Sequence, residues 1–174
     1  KNRIIGMGGI LDSSRFKTYI SKATGCSQHE IEAMVIGGHG DTTMIPITSL
    51  AKCNNKLLTK ILSENQIKEI ASNTMVGGAT LTKLLGTSAW YAPGASVSYL
   101  VNAILNDTKE ILPCSVLLDG EYGAKDLCIG VPVLIGKDGF EEVVELDLSN
   151  KELEMFKNSI KAVKETNSSL IGLI

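Results

Sequence analysis

The spacing of apolar residues changes along the chain, and each change marks a predicted element. Residues 3–9 are apolar and glycine-rich, which predicts a strand or loop. Asp12-Ser13-Ser14 then offers side chains suited to capping a helix, and Phe16, Tyr19 and Ile20 recur at helical spacing up to Gly25. Residues 27–30 predict a short helical turn. Ala33-Met34-Val35-Ile36 is a compact apolar run closed by Gly37-Gly38, as a buried strand would be, and residues 44–48 predict a second strand.

Ile67, Ile70, Ala71, Met75, Val76 and Leu81 trace a long or kinked helix that opens near Ser63-Glu64, in which Gly77-Gly78 either weakens the helical pattern or marks close packing. After the break expected at Pro93-Gly94, Val97, Leu100, Val101, Ile104 and Leu105 stripe another helix ending near Asn106-Asp107, with its apolar face expected in the core. The period then falls to two. Strands at 115–118, 127–135 and 142–146, separated by Gly120, Gly123 and Asp138-Gly139, predict an antiparallel meander. Ser149-Asn150 caps a final helix striped by Leu153, Phe156, Ile160, Val163 and Asn167. The expected class is α+β, with helices packed on a mostly antiparallel sheet. No repeat, low-complexity tract or linker divides the chain, so one unit over residues 1–174 is expected.

Composition narrows the function classes. A chain of 174 residues, 44% of them hydrophobic, can bury a core of its own. Its 17 basic against 19 acidic residues supply no broad positive field, so neither nucleic acid nor a membrane is an expected partner. No stretch approaches the roughly 18 uncharged apolar residues of a membrane span, and a soluble protein is expected. The four cysteines are scattered, without a Cys-x-x-Cys pair, which suggests reduced thiols in a cytoplasmic setting. The opening residues, Lys1-Asn2-Arg3-Ile4-Ile5-Gly6, lack an initiator Met and run directly into apolar sequence, as a fragment or processed piece would. Gly6-Met7-Gly8-Gly9 lacks the spacing and the βαβ context of a dinucleotide-binding turn, so no Rossmann domain is expected.

Few side chains can carry chemistry. His39 sits in Gly37-Gly38-His39-Gly40-Asp41, where glycines leave the imidazole accessible at a strand end; it is either a proton donor or a loop histidine satisfied by a carbonyl. His29, between Gln28 and Glu30, reads as a surface residue. Asp12 and Arg15, three apart on one helix face, can reach one pocket or simply form a helix cap with its local ion pair. His39 and Asp41 fall short of the three or four ligands a divalent metal needs, so no metal is expected. Neither Ser13 nor Ser14 sits in a Gly-x-Ser-x-Gly elbow.

Taken together, Ile5-Gly6-Met7 through Leu11-Asp12-Ser13-Ser14-Arg15-Phe16 and Gly37-Gly38-His39-Gly40-Asp41-Thr42 resemble the lactate/malate dehydrogenase family, in its C-terminal catalytic domain. The likeness continues through residues 86–93 (GTSAWYAP) to the closing helix. It implies that His39 is the acid/base of a 2-hydroxy acid oxidation, that Asp12 is its carboxylate partner, and that Arg15 grips the substrate's C1 carboxylate. It further implies NAD as cofactor, bound mainly by an N-terminal domain that is not in this chain. A homo-oligomer, dimer or tetramer, is implied as well, and little activity for the chain by itself. Gly38 in this motif points to the dicarboxylate branch, malate and oxaloacetate, ahead of lactate, and Ala89, where lactate-specific members place a threonine against the substrate, is compatible with that branch. The doubled Thr42-Thr43 departs from the family's commoner single threonine.

Overall fold

The computed structural model describes residues 1–170; the last four positions of the unit expected over 1–174 lie outside the described residues. Its first helix, α1 (Gly8–Thr24), starts before the predicted cap, which puts Asp12 inside the helix. Residues 3–9 form no strand. Only Gly6 pairs, exchanging two backbone hydrogen bonds of 2.8 Å with Ser115, and this contact aims the chain so that Ile10, Leu11, Phe16 and Ile20 face inward. The helix ends at Gly25, whose left-handed backbone returns its N–H to the Ser21 carbonyl.

A 3-10 turn, Gln28–Glu30, follows where a helical turn was expected, with Ser27 and Glu30 capping one another. It leads to β1 (Ile31–Glu32), β2 (Val35–Gly37) and β3 (Met44–Pro46). The sequence does not anticipate β4 (Lys52–Cys53), β5 (Lys56–Leu57) or α2 (Leu58–Ile61), because two-residue strands are too short to show a period. Their one local signal is Asn54-Asn55, whose φ values of 49° and 61° make the two-residue turn between β4 and β5. Strands β1, β4 and β5 form a small sheet of their own. Pairing of Ile31 with Cys53 also brings Cys53 to Cys26, and the two are disulfide-bonded with Cα atoms 6.4 Å apart. The expectation of four reduced thiols is therefore corrected: Cys114 and Cys128 are free, and the 27-residue spacing of the bonded pair carried no sequence signal.

Helix α3 (Glu64–Leu85) begins with Ser63 and Gln66 capping one another and runs through Gly77-Gly78 to Gly86. Helix α4 (Tyr91–Leu105) starts ahead of the predicted break, since Pro93 lies in its first turn, where a missing N–H has no partner to lose. Its inward face is Ser96, Leu100 and Ala103. Val97 and Val101 are 45% exposed and Leu105 is 77% exposed, so only part of the predicted stripe is core.

The meander is present as β6 (Ile111–Asp119), β7 (Lys125–Gly136) and β8 (Gly139–Val143). The last strand lies earlier than expected because a two-residue turn pairs Gly136 with Gly139. The main sheet has the order β3-β2-β7-β6, with β8 also on β7, and every pairing is antiparallel. Val116, Leu118, Leu127, Ile129, Val131 and Val133 fill the core beneath it.

Helix α5 (Asn150–Ser168) is capped by Ser149 as the sequence predicts, but its buried face is Glu152, Phe156 and Ser159, rotated from the predicted stripe; Leu153 is 37% exposed and Asn167 is exposed. The Glu152 carboxylate sets that rotation by accepting hydrogen bonds from the backbone N–H and hydroxyl of both Ser49 and Ser149. Phe156, fully buried, packs its ring 4.9 Å from that of Tyr122 and holds α5 to the sheet. Replacing it with alanine is expected to cost about 3–5 kcal/mol, read from the midpoint of urea unfolding; a loss below about 1 kcal/mol would show that α5 is held elsewhere.

Candidate active site

Because α1 starts at Gly8, its second turn carries Asp12 and the following turn Arg15, both directed at the loop after β2. The Asp12 side chain is 2% exposed. An isolated carboxylate so deeply buried would be costly, and both its oxygens are occupied. Oδ1 accepts from Arg15 Nη1 at 3.1 Å, and Oδ2 faces His39 Nδ1 at 2.6 Å. A carboxylate only accepts, so Nδ1 carries the proton and Nε2 is the imidazole nitrogen left for other chemistry.

Sterics support the arrangement. A Cβ on Gly8 would stand 2.8 Å from His39 Cγ, so the ring lies against helix backbone that no larger residue would leave clear. A Cβ on Gly78 of α3 would meet Arg15 Nη1 at 3.1 Å, so α3 passes close against the guanidinium at that position, whereas a Cβ on Gly77 would make only ordinary contact. The hydrogen bond that His39 donates to Asp12 raises the pKa of His39 above its ordinary value; partial burial opposes this, and the charges of Asp12 and Asp41 outweigh that of Arg15.

His39, Arg15 and Ala89, distant in sequence, line one cavity of about 300 Å³ together with Asp41, Thr82 and Ser88. That is the low end of the size range for small-molecule sites. On its other side His39 borders a second cavity, about 190 Å³, shared with Asp12, Ser115 and Cys128. A larger groove of about 490 Å³ between α1, α4 and β6 contains none of Asp12, Arg15 or His39, so the chemistry favours the smaller space. His29 is exposed and lines that groove, away from the other candidates. Among the described residues no three His, Cys, Asp or Glu side chains converge as a metal site, and no helix is long and apolar enough to cross a membrane.

Sequence reading brought Asp12, Arg15, His39 and Ala89 to notice, and the fold brings all four to one place. It marked Gly77-Gly78 for close packing and carried Ser88 within residues 86–93 without giving it a role; it did not single out Gly8, whose role is the space it leaves, or Thr82.

Comparison with known proteins bears on the same residues. Residues 10–170 match the family model described as lactate/malate dehydrogenase, alpha/beta C-terminal domain. A malate dehydrogenase of Bacteroides thetaiotaomicron is 61% identical over 170 residues, covering 98% of this chain and 54% of that protein. Among solved structures, malate dehydrogenase from Salinibacter ruber has a TM-score of 0.94 at 41% identity, covering 99% of this chain and 56% of that one. Lactate dehydrogenase from Cryptosporidium parvum, complexed with lactic acid and nicotinamide adenine dinucleotide, has a TM-score of 0.93 at 36% identity, covering 97% and 55%. The chain thus spans about half the length of the relatives it matches. With the matched stretch running from α1 past α5 and including Asp12, Arg15 and His39, this chain belongs to the lactate/malate dehydrogenase family, in its alpha/beta C-terminal domain.

Proposed function

We propose that the full-length protein interconverts malate and oxaloacetate with NAD, and that this chain contributes its proton-transfer and carboxylate-binding groups. The observation that carries the reading is the buried Asp12 carboxylate, bound to both His39 and Arg15 at the edge of a cavity large enough for a four-carbon acid. Similarity to malate dehydrogenases, and to a lactate dehydrogenase solved with NAD, supports it.

Reducing a 2-keto acid requires a proton at oxygen and a hydride at carbon. The described residues account for the first. His39 as imidazolium donates from Nε2 to the keto oxygen, and as neutral imidazole takes the hydroxyl proton in the reverse direction. Asp12 holds the ring in the required tautomer and favours its charged form. Arg15 offers a planar fork to the substrate's C1 carboxylate, and its fixed geometry orients the carbonyl toward His39.

The residues present do not fit the dinucleotide itself, which the hydride reaction requires. The main sheet is antiparallel throughout, and among the described residues there is no parallel strand-turn-helix-strand unit to present backbone amides to a pyrophosphate. An N-terminal domain outside this chain is therefore part of the proposal, as the seat of NAD. A dimer or tetramer goes with the same reading, and the exposed Val97, Val101 and Leu105 stripe is surface that such an assembly would cover. Ala89 at the cavity is compatible with oxaloacetate, and the preference for it over pyruvate rests on the likeness to malate dehydrogenases.

Three outcomes test the reading in full-length protein, followed by NADH oxidation with oxaloacetate and, for comparison, pyruvate. His39→Ala should lower kcat by roughly a hundred-fold or more, the usual scale for a lost general acid; normal turnover would refute the assignment. Arg15→Lys keeps the charge but loses the fork, and should reduce kcat/KM roughly ten- to a hundred-fold, chiefly through KM. Asp12→Asn addresses protonation. His39 must be charged to reduce the ketone, so its raised pKa extends reduction to higher pH; without the carboxylate that pKa falls, and the alkaline limb of the reduction profile should move to lower pH. An unmoved limb would exclude His39 as the titrating acid.

A further inference from the structure

The loop that carries His39 leaves β2 at Gly37 and returns to the sheet at Met44. Its far half is folded on itself: Thr43 and Met44 both donate backbone N–H groups to the Gly40 carbonyl, and the Thr43 hydroxyl bridges Gly40 N–H and Gly40 C=O. None of those bonds ties the loop to the rest of the protein. His39 itself is 56% exposed and reaches across to α1 through its bond to Asp12. The pairing of Gly37 with Met44 closes the base of the loop within the sheet, and a further contact anchors that base to the rest of the protein.

That anchor is a hydroxyl on α5. Ser159, 3% exposed, donates to the Thr43 carbonyl at 2.7 Å and accepts from the Gly38 N–H at 2.9 Å. One side chain thus holds both feet of the loop, although it lies more than a hundred residues away in sequence. The backbone is shaped to admit it. Gly37 has φ +90°, and a Cβ there would stand 2.5 Å from the Thr43 carbonyl oxygen and 3.0 Å from Ser159 Oγ. Val163, the next inward position of α5, borders the small cavity behind His39, so the helix meets the loop along its whole base.

We propose that Ser159 is a positioning residue for proton transfer: by clamping Gly38 and Thr43 to α5 it sets the distance at which His39 meets Asp12. Its action is indirect, since it touches neither the cavity nor His39. The proposal rests on the proton-transfer reading for its kinetic consequence but not for its structural one. Asp12 and Arg15 from α1 and Asp41 from the loop itself are the charged groups facing His39, and the clamp determines how closely Asp12 can act.

The test uses full-length protein with Ser159→Ala and Ser159→Thr, which remove and retain the hydroxyl. The His39 titration midpoint is followed by NMR, its signal assigned by loss in His39→Gln, and kcat and KM for oxaloacetate are measured in parallel. Ser159→Ala should bring the His39 midpoint down toward that of a free histidine and lower kcat roughly ten- to a hundred-fold with KM little changed; Ser159→Thr should restore most of both. Should Ser159→Ala not fold, the near-isosteric Ser159→Cys, a weak donor, replaces it with the same expectation. An unchanged His39 midpoint in the hydroxyl-less variant, or a threonine variant as impaired as alanine, would overturn the proposal. If the parent protein shows no oxaloacetate turnover, the functional reading fails, while the NMR titration still decides the clamp.

Discussion

A single buried carboxylate organises this molecule. Asp12 lies almost out of reach of water, and its charge is acceptable there because Arg15 and His39 occupy both oxygens. The constraint runs in both directions. The cation and the imidazole are held in register with each other because they share one acceptor, and the acceptor is tolerated in the interior because they are there. Removing one partner leaves the others in a site built for three.

Much of the architecture is explained by what that triad requires. Gly6 pairs with Ser115 and starts α1 early enough to put Asp12 under the loop, while Gly8 clears space for the imidazole. Strand β7 pairs with β2, β6 and β8, and its one pairing with β2 is at Gly37, where the loop begins. Helix α5 is docked through Phe156 and Glu152, and Ser159 carries that rigidity to the loop's two ends. The proton transfer proposed for His39 needs such support, because small errors in placement are costly in rate.

The surface shows where the chain's own packing stops. Exposed apolar residues gather on α4 and the end of α3, including Leu84, Leu85 and Tyr91, whereas the face of α4 toward the sheet is buried. Periodicity detects an amphipathic helix but cannot tell which part of a wide apolar stripe finds a partner within the same chain. Three of the five predicted α4 core residues, Val97, Val101 and Leu105, are exposed for that reason.

The sequence by itself determined the helical and strand periods, the Ser149 cap of α5, the antiparallel meander and, through two short motifs, the candidates Asp12, Arg15 and His39. These are local signals, written within a few residues of one another. Tertiary structure decided the rest: that Asp12 is a buried acceptor and not a helix cap, that Ala89 joins Arg15 and His39 around one cavity, that Cys26 meets Cys53, and that Glu152, Phe156 and Ser159 form the inner face of α5. The physical reason is common to all four. Each depends on contacts between segments far apart in the chain, and the phase of a helix or the start of a turn is settled by what it packs against, which no local period encodes.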